Sequence, residues 1–400
     1  MSATSGPSGP PEQPGLAQAT SGAAAPDAAA PVEIEAVELV RVALPLVRPF
    51  RTSFGVQHER DALLVRVVAG GAVGWGECVT TSAPVYSPEY TAGARQVLAE
   101  HLVPRLLANG RTLGWQDVGA RLAAIRGHQM ARAALEVAIA DAQLRTAGIS
   151  LAAGLGGVRD RVPAGVSIGI PDGGTPQLLE QVAAHLDEGY LRIKVKIEPG
   201  SDVAPLTAVR ERFGAIALQV DANAAYDPVE PAHVRALDAL DELDLELIEQ
   251  PFGARRLPAH AHHARRWRTP VCLDESLEDA DDAEDALDSG ACTIVNLKLG
   301  RVGGLASSLA VHDVCRRRGA DLWCGGMLET GVGRAANVAL ASLPGFTMPG
   351  DTSASRRYFA QDLTSPFELV DGHLEVPQGP GLGVEVRAEL LAGADREVIA

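Results

Sequence analysis

The chain lacks three features that would each define a class of protein. No run of about 18 apolar residues is present, so we expect no membrane-spanning helix. No run rich in Lys and Arg is present either, and the net charge of −16 with a pI of about 5.1 disfavours nucleic acid as a partner. The cysteines are odd in number and show no C-x-x-C spacing: Cys78, Cys272, Cys292, Cys315 and Cys324. This pattern excludes a disulfide framework and a zinc site, and it predicts a cytoplasmic protein.

The composition is that of a globular protein with a sizeable core. The 400 residues are 46% hydrophobic and 22% charged, enough for one large domain or two moderate ones. Residues 1–31 are rich in Ala, Gly, Pro and Ser, carry only Glu12 and Asp27 as charges, and lack the pattern of a secretory signal. We therefore expect a disordered tail at residues 1–31.

The pattern from residue 32 to about residue 155 predicts an α+β domain. Alternating apolar runs cover residues 34–42 and 63–68, and Gly70-Gly71 marks a hairpin turn before residues 73–77. Helical patterns follow at residues 92–107 and 128–145. These elements indicate a small antiparallel sheet packed with helices, placed as a capping domain before the rest of the chain.

Seven short apolar runs then alternate with helix-like segments. They lie at residues 162–168, 191–197, 217–220, 245–248, 271–273, 293–297 and 321–324. Near-continuous apolar strands repeating every 20 to 30 residues are typical of a parallel β/α barrel. We predict a modified (β/α)7β TIM-type barrel over residues 156–348, with residues 349–400 packing back on the capping domain. A doubly wound open sheet is the alternative.

Lys194 and Lys196 lie two residues apart on the second of these strands. Residues two apart on a strand point to the same face, so both ammonium groups would enter one site. Two such charges in a partly desolvated site lower each other's pKa, which makes a lysine usable as a base. A solvated surface strand is the alternative for this segment taken alone.

Five consecutive predicted strands end in a charged residue: Lys196, Asp221, Glu249, Asp274 and Lys298. The carboxyl ends of barrel strands face one basin, so these side chains would converge. Each carboxylate alone could be a helix N-cap, but three together need a cation to stay ionised. Oxygen ligands without His or Cys favour Mg²⁺, or Mn²⁺. Such a site would stabilise the charge formed when a proton leaves the carbon next to a substrate carboxylate, with lysines as acid and base.

The motifs of this chain resemble those of the enolase superfamily, and specifically the o-succinylbenzoate synthase / N-succinylamino acid racemase family of the muconate lactonizing enzyme-like group. The resemblance runs from about residue 32 to the C-terminus. It includes residues 49–55 (PFRTSFG), 74–78 (GWGEC), the Lys-Val-Lys and Asp-Ala-Asn motifs, 248–251 (IEQP), 273–276 (LDES) and 325–331 (GGMLETG). Of these, the GGMLETG segment is the most specific.

The resemblance implies a role for each matching residue. Lys196 and Lys298 would be the acid/base pair, with Lys194 adjusting Lys196 and touching the substrate carboxylate. Asp221, Glu249 and Asp274 would hold Mg²⁺. Further residues would line the substrate pocket or close over it: Ser167, Asn223, Gly326, Met327 and Phe54. Arg301 is a candidate through its position near Lys298 and not through the resemblance: it could tune that lysine or orient an acyl substrate, with a solvated loop arginine as the alternative.

Two enzymatic functions follow from the resemblance. The first is an o-succinylbenzoate synthase, which dehydrates 2-succinyl-6-hydroxy-2,4-cyclohexadiene-1-carboxylate in menaquinone biosynthesis; the second is an N-succinylamino acid racemase using the same lysines, and one protein could do both. A metal-dependent binding protein and a sugar-acid dehydratase are competing hypotheses. We expect a small-molecule carboxylate substrate and a homo-oligomer.

Two further sequence features are not expected to carry function. His260, His262 and His263 are predicted to lie on a solvated helix face. The glycine-rich turn at residues 300–304 is similar to a phosphate-binding turn but lacks the full nucleotide-binding fingerprint.

Overall fold

The computed structural model describes residues 29–400, so most of the predicted tail, residues 1–28, lies outside the described residues. The N-terminal capping domain contains β1 (Val32–Thr52), β2 (Gly55–Ala69), β3 (Ala72–Cys78), α1 (Thr91–Val97), α2 (Val103–Leu107), β4 (Thr112–Leu113), α3 (Val118–Leu122), α4 (Gln129–Ala147) and α5 (Leu151–Leu155). The predicted hairpin turn is confirmed, with both Gly70 and Gly71 at positive φ between β2 and β3.

The capping sheet is antiparallel and packs on helix α4. Strands β1, β2 and β3 are neighbours in that order, and β4 pairs with the start of β1. The contact with α4 is close because β3 carries glycines: a Cβ on Gly76 would lie 2.0 Å from the carbonyl oxygen of Ala134. The Gly-Trp-Gly sequence therefore allows strand and helix backbones to touch.

The second part of the chain is the predicted parallel barrel. Its elements are β5 (Arg161–Pro163), β6 (Gly165–Ile168), α6 (Gly174–Asp187), β7 (Arg192–Lys196), α7 (Val203–Phe213), β8 (Leu218–Asp221), α8 (Pro231–Leu240), β9 (Leu247–Glu249), α9 (Leu257–Ala264), β10 (Val271–Leu273), α10 (Ala280–Asp288), β11 (Ile294–Leu297), α11 (Leu305–Arg318), β12 (Asp321–Cys324) and α12 (Gly331–Ala341). Strands β6 to β12 form one parallel sheet in sequence order. This order rules out the doubly wound alternative, whose strand order reverses at a switch point.

Residues 347–351 close the barrel between its first and last strands. The amide of Thr347 donates to the carbonyl of Leu322, and the amide of Asp351 donates to that of Cys324. On the other side, Gly350 exchanges hydrogen bonds with Pro163 and Gly165. The segment thus occupies the place of the eighth strand in a (β/α)7β barrel.

The remaining strands return to earlier parts of the chain. Strand β13 (His373–Glu375) pairs with β5, and β14 (Asp395–Val398) pairs with β1 at the edge of the capping sheet. Over residues 29–400, no helix combines the length and the apolar character needed to cross a bilayer.

The prediction for the histidine-rich segment is wrong for two of its three histidines. His260 and His263 are buried, because α9 packs against Phe252 and Trp267, and only His262 is exposed. The amide of Phe252 donates to Nε2 of His260, and Nδ1 lies 3.0 Å from the carbonyl of Arg256. Burial disfavours the charged ring, outweighs these two hydrogen bonds and lowers the pKa of His260 to about 4.

His260 is expected to make stability depend on pH. The folded pKa lies below the unfolded value near 6.5, so the unfolded chain binds the proton more readily between these values. Stability is therefore fully present above pH 6.5 and falls as the pH drops towards 4, by up to about 3 kcal/mol. Denaturant midpoints measured across this range should show a slope that His260→Gln reduces. The exposed His262→Gln is the control, and an equal slope in both variants would contradict this assignment.

Candidate active site

The charged strand ends converge as the barrel geometry requires. Lys196 pairs in register with Asp221, and Asp221 with Glu249, at the ends of β7, β8 and β9. Asp274 and Lys298 directly follow β10 and β11. None of the five residues is more than 8% exposed. Their burial makes each uncompensated charge costly, so the pairing among them determines the site.

The three lysines form four ion pairs with the strand-end carboxylates across the basin. Lys196 Nζ donates to Asp221 Oδ2 at 2.5 Å and to Asn223 Oδ1 at 2.7 Å. Lys298 Nζ donates to Asp274 Oδ2 at 2.8 Å. Lys194 Nζ lies 2.7 Å from Glu249 Oε2 and 3.3 Å from Asp221 Oδ2. The site therefore places ammonium groups between carboxylates that come from neighbouring strands.

The pKa of Lys194 is shifted in the direction opposite to the sequence expectation. Burial lowers the pKa of Lys194, but Asp351, Glu249 and Asp221 outweigh it and raise that pKa above its ordinary value. Burial also acts to lower the pKa of Lys298, but the acidic groups around it, Tyr86 first, outweigh burial and raise that pKa. The predicted mutual lowering by neighbouring lysines is therefore wrong for Lys194, because carboxylates surround it more closely than other ammonium groups do.

Two of the carboxylates respond differently to the same surroundings: the pKa of Asp221 is lowered and that of Glu249 is raised. Burial acts to raise the pKa of Asp221, yet Lys196 and Lys194 outweigh it and hold that pKa below its usual range. Glu249 has a raised pKa, first through burial and then through the charge of Asp221. Because burial and the charge of Asp221 both disfavour the ionised form of Glu249, a further cation beside these carboxylates would be stabilising.

The predicted metal ligands do not form a chelating set as the side chains lie. In the part of the chain that the structure describes, no three His, Cys, Asp or Glu side chains meet closely enough to hold an ion, and Asp221, Glu249 and Asp274 engage the lysines instead. Their chemistry nevertheless fits a hard divalent ion: three buried carboxylates at adjacent strand ends, without nitrogen or sulfur ligands.

A cavity lies over these charges between the barrel and the capping domain. Eight of the predicted site residues line it: Phe54, Ser167, Lys194, Lys196, Asn223, Lys298, Gly326 and Met327. The three predicted metal ligands do not line it, but each is paired with a lysine that does. Arg301 does not reach this cavity, because its guanidinium is buried against Asp274 and donates to the carbonyls of Leu277 and Asn296. It therefore contacts a predicted metal ligand instead of the cavity.

The β1–β2 hairpin covers one side of the cavity. The amide of Ile170, after β6, donates to the carbonyl of Arg51, and the Arg51 side chain pairs with Asp172 and Glu198 at 3.2 Å each. Phe54 extends from the hairpin tip and its ring lies 5.9 Å from that of Tyr86. The hairpin thus brings capping-domain side chains over the strand ends.

Tyr86 is a site residue that sequence reasoning missed. It lies in the loop between β3 and α1, and its hydroxyl is 3.1 Å from Lys298 Nζ and 3.3 Å from both oxygens of Asp274. Lys298 Nζ also lies 4.7 Å from the centre of the tyrosine ring. Nothing in the local sequence marks this tyrosine, because it comes from the other domain.

Gln250 is a second missed residue, and its hydrogen bonds connect the motif at residues 248–251 with the motif at residues 273–276. Its Oε1 accepts the amides of Asp274 and Ser276, while its Nε2 donates to Ser276 Oγ and to the carbonyl of Phe252. Gln250 holds a left-handed backbone with φ of 38°. It therefore fixes the loop that carries Asp274 relative to the loop that carries Glu249.

The count of lysines is a signal that was available in the sequence. Lys194, Lys196 and Lys298 are the chain's three lysines, among 35 Lys and Arg residues. Every other cationic position is arginine, which cannot lose its proton near neutral pH. All three lysines lie in the same buried basin, so their positions alone indicate where the chemistry takes place.

The glycine-rich turn at residues 300–304 contacts the capping domain. A Cβ on Gly304 would lie 2.1 Å from Glu136 Oε2, and one on Gly300 would lie 2.2 Å from Val79. Glu136, on α4, accepts the amide of Ala306 in the first turn of α11 at 2.8 Å. The glycines therefore allow close domain packing, and a carboxylate already occupies this helix N-terminus.

The fold and the site together define a class of enzymes. Residues 34–156 match the mandelate racemase / muconate lactonizing enzyme N-terminal domain, and residues 177–390 match the enolase C-terminal domain-like family. The chain belongs to the enolase superfamily, as its motifs indicated, and members of that superfamily use a divalent metal ion.

Individual relatives narrow the class further. The chain is 55% identical to an N-succinylamino acid racemase from Amycolatopsis sp over 361 residues, which is 90% of this chain and 97% of the relative. It is 41% identical to the o-succinylbenzoate synthase of Bacillus subtilis, covering 90% and 96% of the two chains. A crystal structure of an enolase-superfamily member from Enterococcus faecalis superposes with a TM-score of 0.85 at 39% identity, covering 92% and 100%.

Proposed function

We propose that this enzyme removes the proton next to a substrate carboxylate and acts as an o-succinylbenzoate synthase, dehydrating 2-succinyl-6-hydroxy-2,4-cyclohexadiene-1-carboxylate. The observation that carries the proposal is the placement of Lys196 and Lys298 on the wall of one cavity, with each lysine paired to a buried strand-end carboxylate. A binding protein would not need two buried lysines at that place. A sugar-acid dehydratase would be expected to have a histidine base where Lys298 stands.

Each lysine has a distinct part in this proposal. Lys196 takes the α-proton, and its hydrogen bond to Asn223 aims the amine from the end of β7 into the cavity. Lys298 faces the substrate from β11, held by Asp274 and by the Tyr86 hydroxyl. Lys194, Ser167, Gly326 and Met327 contact the substrate from the cavity wall, and Phe54 excludes water from above.

Asp221, Glu249 and Asp274 are the proposed ligands of Mg²⁺, with Mn²⁺ as a substitute. Two observations support this: all three donors are carboxylates, and the pKa of Glu249 is raised because burial and the charge of Asp221 both disfavour its ionised form. A bound divalent ion supplies charge stabilisation to the substrate carboxylate during proton loss and counters the carboxylates that raise the pKa of the lysines. Release of the carboxylates from the lysines would accompany its binding.

Racemisation of N-succinylamino acids is the second candidate, and the 55% identity to a racemase favours it specifically. Racemisation requires a proton to leave one face of the α-carbon and another to arrive at the opposite face. Lys196 ends β7 and Lys298 directly follows β11, four strands away in the barrel sheet, and both line the same cavity. One active site with these two lysines supports both reactions, so we propose that the enzyme is bifunctional.

NMR in deuterated buffer tests both activities with the same enzyme sample. We expect the cyclohexadiene carboxylate to give o-succinylbenzoate in one tube, and deuterium to enter the α-carbon of recovered N-succinylamino acid in the other. A chelator should stop both reactions, and added Mg²⁺ should restore them. Deuterium incorporation without any dehydration would reject the synthase assignment and leave the racemase.

The cellular setting is a further part of the proposal. The five cysteines are free and buried, which supports a reducing compartment such as the cytoplasm. The relatives act on small molecules, and a small carboxylate is the proposed substrate here. Homo-oligomerisation stays a prediction, which light scattering of the purified protein checks.

A further inference from the structure

Asp351 is a buried carboxylate beside the site with no part in the acid–base or metal-binding chemistry described above. It lies in the segment that closes the barrel, where its amide donates to the carbonyl of Cys324. Its side chain points into the barrel: Oδ1 accepts from Arg192 Nη1 at 2.8 Å, and Oδ2 lies 2.7 Å from Lys194 Nζ. The residue is only 7% exposed, so both contacts are made away from bulk water.

Asp351 differs from the other two anionic partners of Lys194. Those partners, Glu249 and Asp221, are both proposed metal ligands. A divalent ion would take their oxygens, and the ammonium of Lys194 competes with such an ion for the same charges. Asp351 is then the partner that Lys194 keeps, together with the face of Trp323, whose ring centre is 4.5 Å from Nζ.

Asp351 is itself held by a rigid support. Arg192, two residues before Lys194 on the same face of β7, donates to Asp351 and also to the carbonyl of Pro349 at 2.9 Å. The guanidinium fits because residue 165 is glycine, where a Cβ would lie 2.3 Å from the Arg192 Cζ. The position of the Asp351 carboxylate is therefore fixed by the barrel wall, independently of any ligand.

We propose that Asp351 is a positioning residue that draws the ammonium of Lys194 towards the barrel wall, which frees Glu249 and Asp221 for a divalent cation and aims Lys194 at the substrate carboxylate. This inference rests on the proposed function, because it concerns the metal ligands named there. It predicts that the charge of Asp351 affects metal affinity through Lys194 and not through the field of the site in general.

Calorimetric titration of the intact protein with Mg²⁺ alone, and with Mn²⁺ alone, tests this prediction. Asp351→Asn should raise the Kd for both ions on the order of tenfold, because Lys194 then pairs only with the ligands. The Lys194→Met variant should bind both ions at least as tightly as the wild type does. The double variant Lys194→Met/Asp351→Asn should have nearly the same Kd as Lys194→Met. At saturating Mg²⁺, Asp351→Asn should raise KM more than it lowers kcat.

Controls separate this role from charge loss and from misfolding. Asp395→Asn removes one exposed carboxylate from the edge of the capping sheet and should leave the Kd unchanged. If Asp351→Asn fails to fold, the double variant Asp351→Asn/Arg192→Met, which leaves no buried guanidinium without its partner, should show the same weakened binding.

Three results would reject the proposal or its basis. An unchanged Kd in Asp351→Asn, with normal metal binding and turnover in the wild type, rejects the role of Asp351 alone. An equal loss of affinity with and without Lys194 shows that Asp351 does not act through that lysine. A wild-type protein that binds neither ion while turning over neither substrate overturns the proposed function as well.

Discussion

Replacing Lys196 or Lys298 by alanine is expected to lower kcat/KM for both candidate reactions by roughly a hundredfold to ten-thousandfold, the usual contribution of a positioned acid or base. Both side chains are buried and reach the same cavity, so a solvent molecule does not readily replace either amine. The measurement is steady-state turnover of the cyclohexadiene carboxylate and of the two enantiomers of an N-succinylamino acid, each at saturating Mg²⁺.

The two variants should differ in the enantiomer that they still deprotonate. Lys298→Ala keeps Lys196, and should exchange the α-proton of one enantiomer with deuterated solvent while racemising neither. Lys196→Ala should show the reverse preference. The matched controls are Lys196→Arg and Lys298→Arg, which keep a positive charge but cannot act as a base near neutral pH. Unchanged turnover of all substrates in both alanine variants would refute the catalytic role of these lysines.

Most of the candidate site could be predicted because it follows from strand geometry. Each of the five charged residues stands at or just after the end of a barrel strand, and parallel strands bring their carboxyl ends together whatever the loops contain. Tyr86 and Asp351 could not be found in this way. Tyr86 comes from a capping-domain loop, and Asp351 from a closing segment that makes barrel hydrogen bonds without a strand-like apolar pattern.

The direction of the Lys194 pKa shift was mispredicted for a related reason. Spacing along β7 places Lys194 beside Lys196, but it does not reveal how many carboxylates approach from other strands. Lys194 meets Asp351, Glu249 and Asp221, and these anions decide the sign of the shift. Charge balance in a buried site depends on the whole ring of strands, which a local motif does not contain.

The sequence pattern mispredicted the end of one strand and the exposure of one helix face, because tertiary packing overrides the local pattern at both places. The apolar alternation of the first strand ends near Val42, but β1 continues to Thr52 through Pro45 and Pro49, with a register shift against β2 between Pro45 and Phe50. That extension forms the hairpin over the cavity. Similarly, the polar sequence around His260 suggested a solvated face, whereas Phe252 and Trp267 bury it.

Loss of the Glu77 carboxylate is expected to destabilise the protein more than any other single change outside the cavity. Glu77, at the end of β3, is fully buried and accepts hydrogen bonds from the amides of Thr330 and Gly333 at the start of α12. It also accepts from the Thr330 hydroxyl at 2.7 Å. One capping-domain side chain thus satisfies the N-terminus of a barrel helix, which joins the two domains.

The loss of folding free energy on removing this carboxylate comes mainly from leaving its partner, Arg60, unpaired. Arg60 is 1% exposed and donates to Glu77 Oε1 from Nη2 at 3.2 Å, so Glu77→Ala leaves a buried guanidinium without an anion. Breaking a buried pair in this way costs about 3–5 kcal/mol. We expect a corresponding fall in the denaturant midpoint, with Mg²⁺ affinity per folded molecule retained because the strand-end carboxylates are untouched.

Two comparison variants test whether the cost arises from the unpaired charge. Glu397, on β14, forms a more exposed ion pair with Arg95 of α1. Glu397→Ala breaks that pair and should cost no more than about 1 kcal/mol. The double variant Glu77→Leu/Arg60→Met removes both buried charges and should recover part of the stability lost in Glu77→Ala, since an apolar pair leaves no desolvated ion. The hydrogen bonds to Thr330 and Gly333 are lost in both variants alike. If the double variant is no more stable than Glu77→Ala, the unpaired guanidinium is not the main cost and the assigned cause is wrong.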